Sequence, residues 1–81
     1  MLTAFVLIKV KPGMDRDVLK AVEELPEVKE VETVYGEYDM LLKISVGNMD
    51  ELDSFIFDTV RRIRGVEGTT TLISMKVPAS D

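Results

Sequence analysis

The stretch Thr3-Ala4-Phe5-Val6-Leu7-Ile8-Lys9-Val10 alternates with period two, setting Ala4, Val6, Ile8 and Val10 on one face and Thr3, Phe5, Leu7 and Lys9 on the other. Successive side chains of a strand point to opposite sides, so the pattern reads as a strand. Its first face is wholly apolar. The second is half apolar, which exceeds what a one-sided antiparallel sheet requires and implies that something covers that face too.

Reading on from this strand, Lys11-Pro12-Gly13-Met14 is loop chemistry. Asp15 is the expected N-cap of a helix over 15–25, with Val18, Leu19, Val22 and Leu25 as its apolar stripe, and Pro26 ends it. A β-rich, Glu-rich run over 28–35 places Lys29, Val31, Thr33 and Tyr35 on one face and Val28, Glu30, Glu32 and Val34 on the other, a mixture suited to an edge strand. Gly36-Glu37-Tyr38-Asp39 is expected to make a tight reversal into the alternating strand of Met40, Leu42, Ile44 and Val46, forming a hairpin.

Asn48 with Glu51 three residues on is a variant capping box, opening a helix that runs to about Arg64. Leu52, Phe55, Ile56, Val60 and Ile63 form its buried stripe. Phe57 lies off that stripe, either as a single exposed aromatic or as an intersubunit contact. Gly65 fits the helix C′ position. Thr69, Thr71, Ile73, Met75 and Val77 share a face of the last strand, and 78–81 read as a frayed tail.

The order is β-α-β-β-α-β in a single domain over 1–81. This is an α+β, ferredoxin-like sandwich with a four-stranded antiparallel sheet. Right-handed crossovers put both helices on one face and leave the other bare. Phe5 and Leu7, with whichever neighbours share their side, would be exposed in a lone subunit, and packing two such sheets together drives dimerisation.

Composition narrows the function. The chain has 81 residues, 46% of them hydrophobic, with no His and no Cys. A domain this small buries only about 60% of its unfolded surface, and disulfide or zinc staples are unavailable, which again favours oligomerisation. Cys nucleophiles, His bases and Cys/His metal sites are excluded. No catalytic residues, metal site or cofactor are expected. The glycines match no phosphate-loop spacing, and Asp15 and Asp17 are better explained by the helix dipole than by calcium. No run of 18 apolar residues could span a membrane, and without a basic n-region before the first strand a cytoplasmic location is the default. A net charge of −5 argues against direct contact with nucleic acid, and the cluster Arg61, Arg62 and Arg64 is expected to complement the end of the second helix.

Two segments stand out. Gly36-Glu37-Tyr38-Asp39 combines a permissive backbone, an aromatic ring and a carboxylate. Gly65-Val66-Glu67-Gly68-Thr69-Thr70-Thr71 sets three hydroxyls at the opening of the last strand. A carboxylate can take an ammonium group while hydroxyls and backbone N–H groups take a carboxylate, the two ends of a free amino acid. Turn chemistry and β propensity also account for these segments, and spacing alone favours that plainer reading.

The linked set Leu25-Pro26-Glu27 before Val28-Lys29-Glu30-Val31, Gly36-Glu37-Tyr38-Asp39 with Leu41-Leu42-Lys43, and Gly65-Val66 with Thr69-x-Thr71 resembles the effector domain of the leucine-responsive regulatory protein/AsnC (Lrp/AsnC) transcription regulators. That domain is named RAM, for regulation of amino acid metabolism. The resemblance runs from Thr3 to Val77. It implies dimers that pair through their sheets and gather into octamers or other higher assemblies, with amino acid effectors bound in clefts between dimers. Carried over, Gly36, Tyr38, Asp39, Thr69 and Thr71 would line that cleft. Asp39 would take the ammonium or order the turn, and Thr69 and Thr71 would be polar lining. Full-length members carry an amino-terminal helix-turn-helix domain, whereas this sequence opens on the RAM strand and is acidic. The expectation is a stand-alone RAM domain, non-catalytic and amino-acid-responsive. An alternative is a partner that co-assembles with a full-length Lrp/AsnC-type regulator and needs no ligand of its own. A third reading is a small dimeric α+β barrel enzyme, which would require a deep pocket inside each subunit.

Overall fold

A computed structural model describes residues 1–75; residues 76–81, and with them Val77 and the expected tail, lie outside the described residues. Strand β1 (Leu2–Val10) is followed by helix α1 (Asp15–Glu23), strands β2 (Val28–Thr33) and β3 (Met40–Val46), helix α2 (Met49–Ser54) and strand β4 (Val66–Ile73). The four strands form one sheet in the order β2-β3-β1-β4, and each recorded pairing is antiparallel, as the ferredoxin-like pattern requires.

β1 is a central strand, and its apolar face meets that of β3. Ala4, Val6, Ile8 and Val10 join Met40, Leu42, Ile44 and Val46 in the core, closed by Val18 and Val22 of α1 and by Leu52, Phe55, Ile56 and Val60. Directly opposed residues in an antiparallel pair share a face. The register therefore fixes the other side of the sheet: Phe5 lies between Lys43 and Leu72, and Leu7 between Leu41 and Thr70. Among the described residues, no helix covers this side.

Two bulges revise the expected alternation. β2 pairs Val28 with Ile44 but Glu30 with Lys43, so Lys29 is the extra residue, and Val28 turns to the helix side along with Val31. Glu30 and Glu32 remain on the open side, where Glu30 meets Lys43 at 3.5 Å. In β4 the shift falls at Glu67, since Val10 pairs with Val66 and Lys9 with Gly68. β2 is an edge strand, as its mixed faces predict, but it stops at Thr33 rather than at 35. β4 begins three residues before the expected Thr69.

The helices are shorter and less regular than the apolar spacing suggests. Met14, not Asp15, is the N-cap of α1, and Asp15 and Asp17 occupy the first turn, where their charge complements the helix dipole. The helix ends at Glu23 because its last turn tightens: Glu24 N–H donates to Ala21 O and Leu25 N–H to Val22 O, just ahead of Pro26. The α2 cap is as expected, with Asn48 Oδ1 accepting from Glu51 N–H at 2.9 Å. The Glu51 carboxylate reaches back to the N–H of Gly47 rather than to that of Asn48. Beyond Ser54 the chain widens into a π turn over Phe55–Thr59 and then narrows into a 3-10 turn over Val60–Arg62. Phe55, Ile56 and Val60 stay buried through this change of pitch.

Because Ile63 is already extended, Gly65 is not the C′ residue of a helix. It is the third residue of the turn that Val66 N–H closes onto Ile63 O at 3.2 Å, and its φ of +102° is one that this turn position demands. A Cβ there would stand 2.8 Å from Met14 Cβ and 2.9 Å from Val18 Cγ2, so the site requires glycine on space as well as on conformation.

Candidate effector site

The ladder between β1 and β3 ends at Ile8 opposite Met40. Beyond that pair, Asp39 takes over the work of the missing strand. Its N–H donates to Ile8 O at 2.9 Å, and its Oδ2 accepts from Val10 N–H at 2.7 Å. The carboxylate substitutes for a backbone carbonyl and satisfies a partly buried donor. Asp39 O also accepts from Val34 N–H at 3.0 Å, closing a loop over 34–39. The hairpin is thus present, but its reversal is wider than the expected four-residue turn, because β2 ends at Thr33 opposite Met40. Gly36 takes a φ of +118° with open space where a Cβ would be, and Tyr35 is fully exposed.

Tyr38 is half-buried, and its hydroxyl lies 2.7 Å from Thr70 Oγ1. Since β1 separates β3 from β4 in the sheet, the side chain passes over β1 to reach β4. It does so on the side away from the helices, because Thr70 shares a face with Leu7. Thr69 and Thr71 are opposite Ile8 and Val6, so they face the helix side and are half-buried. The structure therefore brings Tyr38 of this turn to β4, where it meets Thr70, while Asp39 is tied to β1 and Gly36 faces open space. Thr69 and Thr71 lie on the opposite side of the sheet from the Tyr38 hydroxyl.

Phe5 and Leu7 are half-buried on the open face, in a patch continued by Leu41 and by Leu72, which is 52% exposed. Phe57 belongs to the helix layer, is 54% exposed, and carries the Arg61 guanidinium 5.2 Å from its ring centroid. Sequence reasoning missed Thr70, Leu41 and Leu72. Alternation already set Thr70 apart from Thr69 and Thr71, but only the β1–β4 register shows which group faces the turn.

A cleft of about 630 Å³ opens at the other end of the sheet, where Ser45 and Val46 end β3 and Asn48 caps α2, with Glu27, Asp50 and Asp58 on its walls. No group of three or more acids is placed to hold a metal ion among the described residues. No described helix is long and apolar enough to cross a membrane. The partner of the Asp39 carboxylate is the Val10 backbone amide, an arrangement suited to holding a turn.

The sequence matches the family model described as the Lrp/AsnC ligand binding domain over residues 3–81. The HTH-type transcriptional regulator FL11 of Pyrococcus furiosus is 47% identical over 74 residues, covering 91% of this chain and 48% of the relative. The chain thus spans about half the length of the curated relatives it matches. Among solved structures, TTHA0845 of Thermus thermophilus superposes with a TM-score of 0.90 at 34% identity, covering 99% of this chain and all of that one. A transcriptional regulator of Neisseria meningitidis, in a complex with L-methionine, superposes with a TM-score of 0.86 at 25% identity, covering 98% of this chain and 53% of the regulator. By sequence and by fold, this chain belongs to the Lrp/AsnC ligand-binding-domain family.

Proposed function

We propose that this chain is a non-catalytic regulatory module that self-associates through its open sheet face and responds to a free amino acid bound at the 34–39 turn. The observation that carries this reading is the position of that turn. It is pinned to β1 by Asp39 and lies at the end of an uncovered face bearing Phe5, Leu7, Leu41 and Leu72. The 630 Å³ cleft lies at the opposite end of the sheet, and in this reading a site at the turn takes its remaining walls from a neighbouring copy. Hydroxyls, exposed backbone groups around Gly36 and the walls of a second copy suffice to hold an ammonium and a carboxylate. The L-methionine complex of the Neisseria relative supports this ligand class.

An effector bound between copies stabilises the assembly that contains its site, so binding and assembly are linked. Isothermal titration calorimetry of the full chain against the twenty amino acids, starting with L-methionine, tests the proposal. Saturable heat with at least one of them is expected, and silence with all twenty would refute it.

A second reading is favoured by length. Relatives about twice as long contain an equivalent domain, so the same sheet face could pair this chain with a full-length regulator. Co-expression with such a relative would then yield a mixed oligomer whose formation does not depend on added amino acid.

A further inference from the structure

We propose that the Tyr38–Thr70 hydrogen bond is a latch that couples the order of the 34–39 turn to the packing of a second copy on the open sheet face. The inference deepens the proposed function and rests on its reading of that face as the self-association surface.

Three observations carry it. Tyr38 belongs to the turn, yet its hydroxyl is anchored 2.7 Å from Thr70 on β4, with the whole width of β1 between the two strands. Thr70 stands on the open side next to Leu7 and two residues before Leu72, so the latch lies on the edge-strand border of the apolar patch, where a second sheet seated on Leu7 and Leu72 would cover it. The turn's other ties, from Asp39 to Ile8, Val10 and Val34, hold only its two ends, while Tyr35, Gly36 and Glu37 remain exposed.

A second sheet laid on this patch removes water from both hydroxyls. An unpaired hydroxyl is costly there, and the paired one is strengthened by the lower dielectric. Packing therefore favours the latched turn. By thermodynamic reciprocity the latched turn favours packing to the same extent. Tyr38 is thus a positioning residue: it transmits between turn and interface without being needed as a ligand contact.

The test uses the full chain without ligand. Sedimentation velocity over a concentration series gives the dimer dissociation constant, and amide exchange over 34–39 is followed across the same series. In the wild type, protection of the turn should rise as dimer forms. Tyr38→Phe and Thr70→Val should each weaken the dimer by about fivefold to a hundredfold, the range expected for two net hydrogen bonds, one in each copy, and should uncouple turn protection from concentration. Thr70→Ser keeps the hydroxyl and should restore both properties, which a purely structural role for the Thr70 side chain would not predict. The latch is overturned if Tyr38→Phe and Thr70→Val dimerise as the wild type does with unchanged turn protection, or if the wild type stays monomeric throughout. Failure of the amino acid titrations alongside intact coupling would instead sink the effector reading and leave the latch standing.

Discussion

Replacing Asp39 separates the two roles open to its carboxylate, ordering the turn or receiving an ammonium group. Its Oδ2 accepts from Val10 N–H at 2.7 Å in a partly buried setting, beyond the point where the β1–β3 ladder ends at Ile8 opposite Met40. A hydrogen bond to a charged group contributes about 1.5–3 kcal/mol, and truncation leaves the donor unsatisfied. Asp39→Ala should therefore destabilise the chain by about 2 kcal/mol, equivalent to a fall in melting temperature of about 8–16 °C for a domain of this size. Asp39→Asn keeps an oxygen that can accept from Val10 but loses the charge, so its cost should be about 1 kcal/mol. Urea unfolding followed by circular dichroism reads both, at two protein concentrations so that self-association is separated from intrinsic stability. A loss below about 0.5 kcal/mol for Asp39→Ala would refute the pinning role. The same Asp39→Asn protein should keep its amino acid affinity to within about tenfold if the carboxylate acts through the turn. A variant of near-native stability that has lost binding altogether would instead make Asp39 the ammonium partner.

Gly65→Ala should cost about 3 kcal/mol, from backbone strain at φ +102° plus overlap with Met14 and Val18. Gly13→Ala, at φ +83° in open space, should cost only about 1 kcal/mol; thermal melts of the two side by side check the difference. Asn48→Ala removes the acceptor for Glu51 N–H and should lower stability by about 1 kcal/mol in the same urea assay, with Asn48→Asp close to neutral. Leu72→Lys puts a charge in the open-face patch at a position 52% exposed in the single chain, so it should leave the melting temperature of the monomer nearly unchanged. In sedimentation velocity it should weaken the dimer by at least about tenfold.

The strands that build the core were legible in the sequence because Val, Ile and Leu alternate strictly through β1 and β3, and each has a single way to bury its apolar face. The bulges at Lys29 and Glu67 left no such mark. Period-two reasoning put Val28 opposite Val31, and only the extra residue lets both reach the core. Phe55, Ile56 and Val60 follow Leu52 at spacings that suit a straight α-helix as well as the π and 3-10 turns these three adopt, so the change of pitch was hidden by the very pattern that made the segment helical. At the site, Gly36 and Asp39 announced a turn locally. The partner of Tyr38 lies 32 residues away, across a strand, and it depends on a register that no local signal encodes. The apolar surplus on the second face of β1 was readable from composition, whereas its extension to Leu41 and Leu72 follows only from the pairing.

Light scattering of the full chain, with and without a saturating amino acid, tests most directly whether this is an effector-responsive self-assembling module. The expected result is a particle larger than one 81-residue chain whose mass shifts when at least one of the twenty amino acids is added. A mass that stays at a single chain, unmoved by any of them, would contradict it.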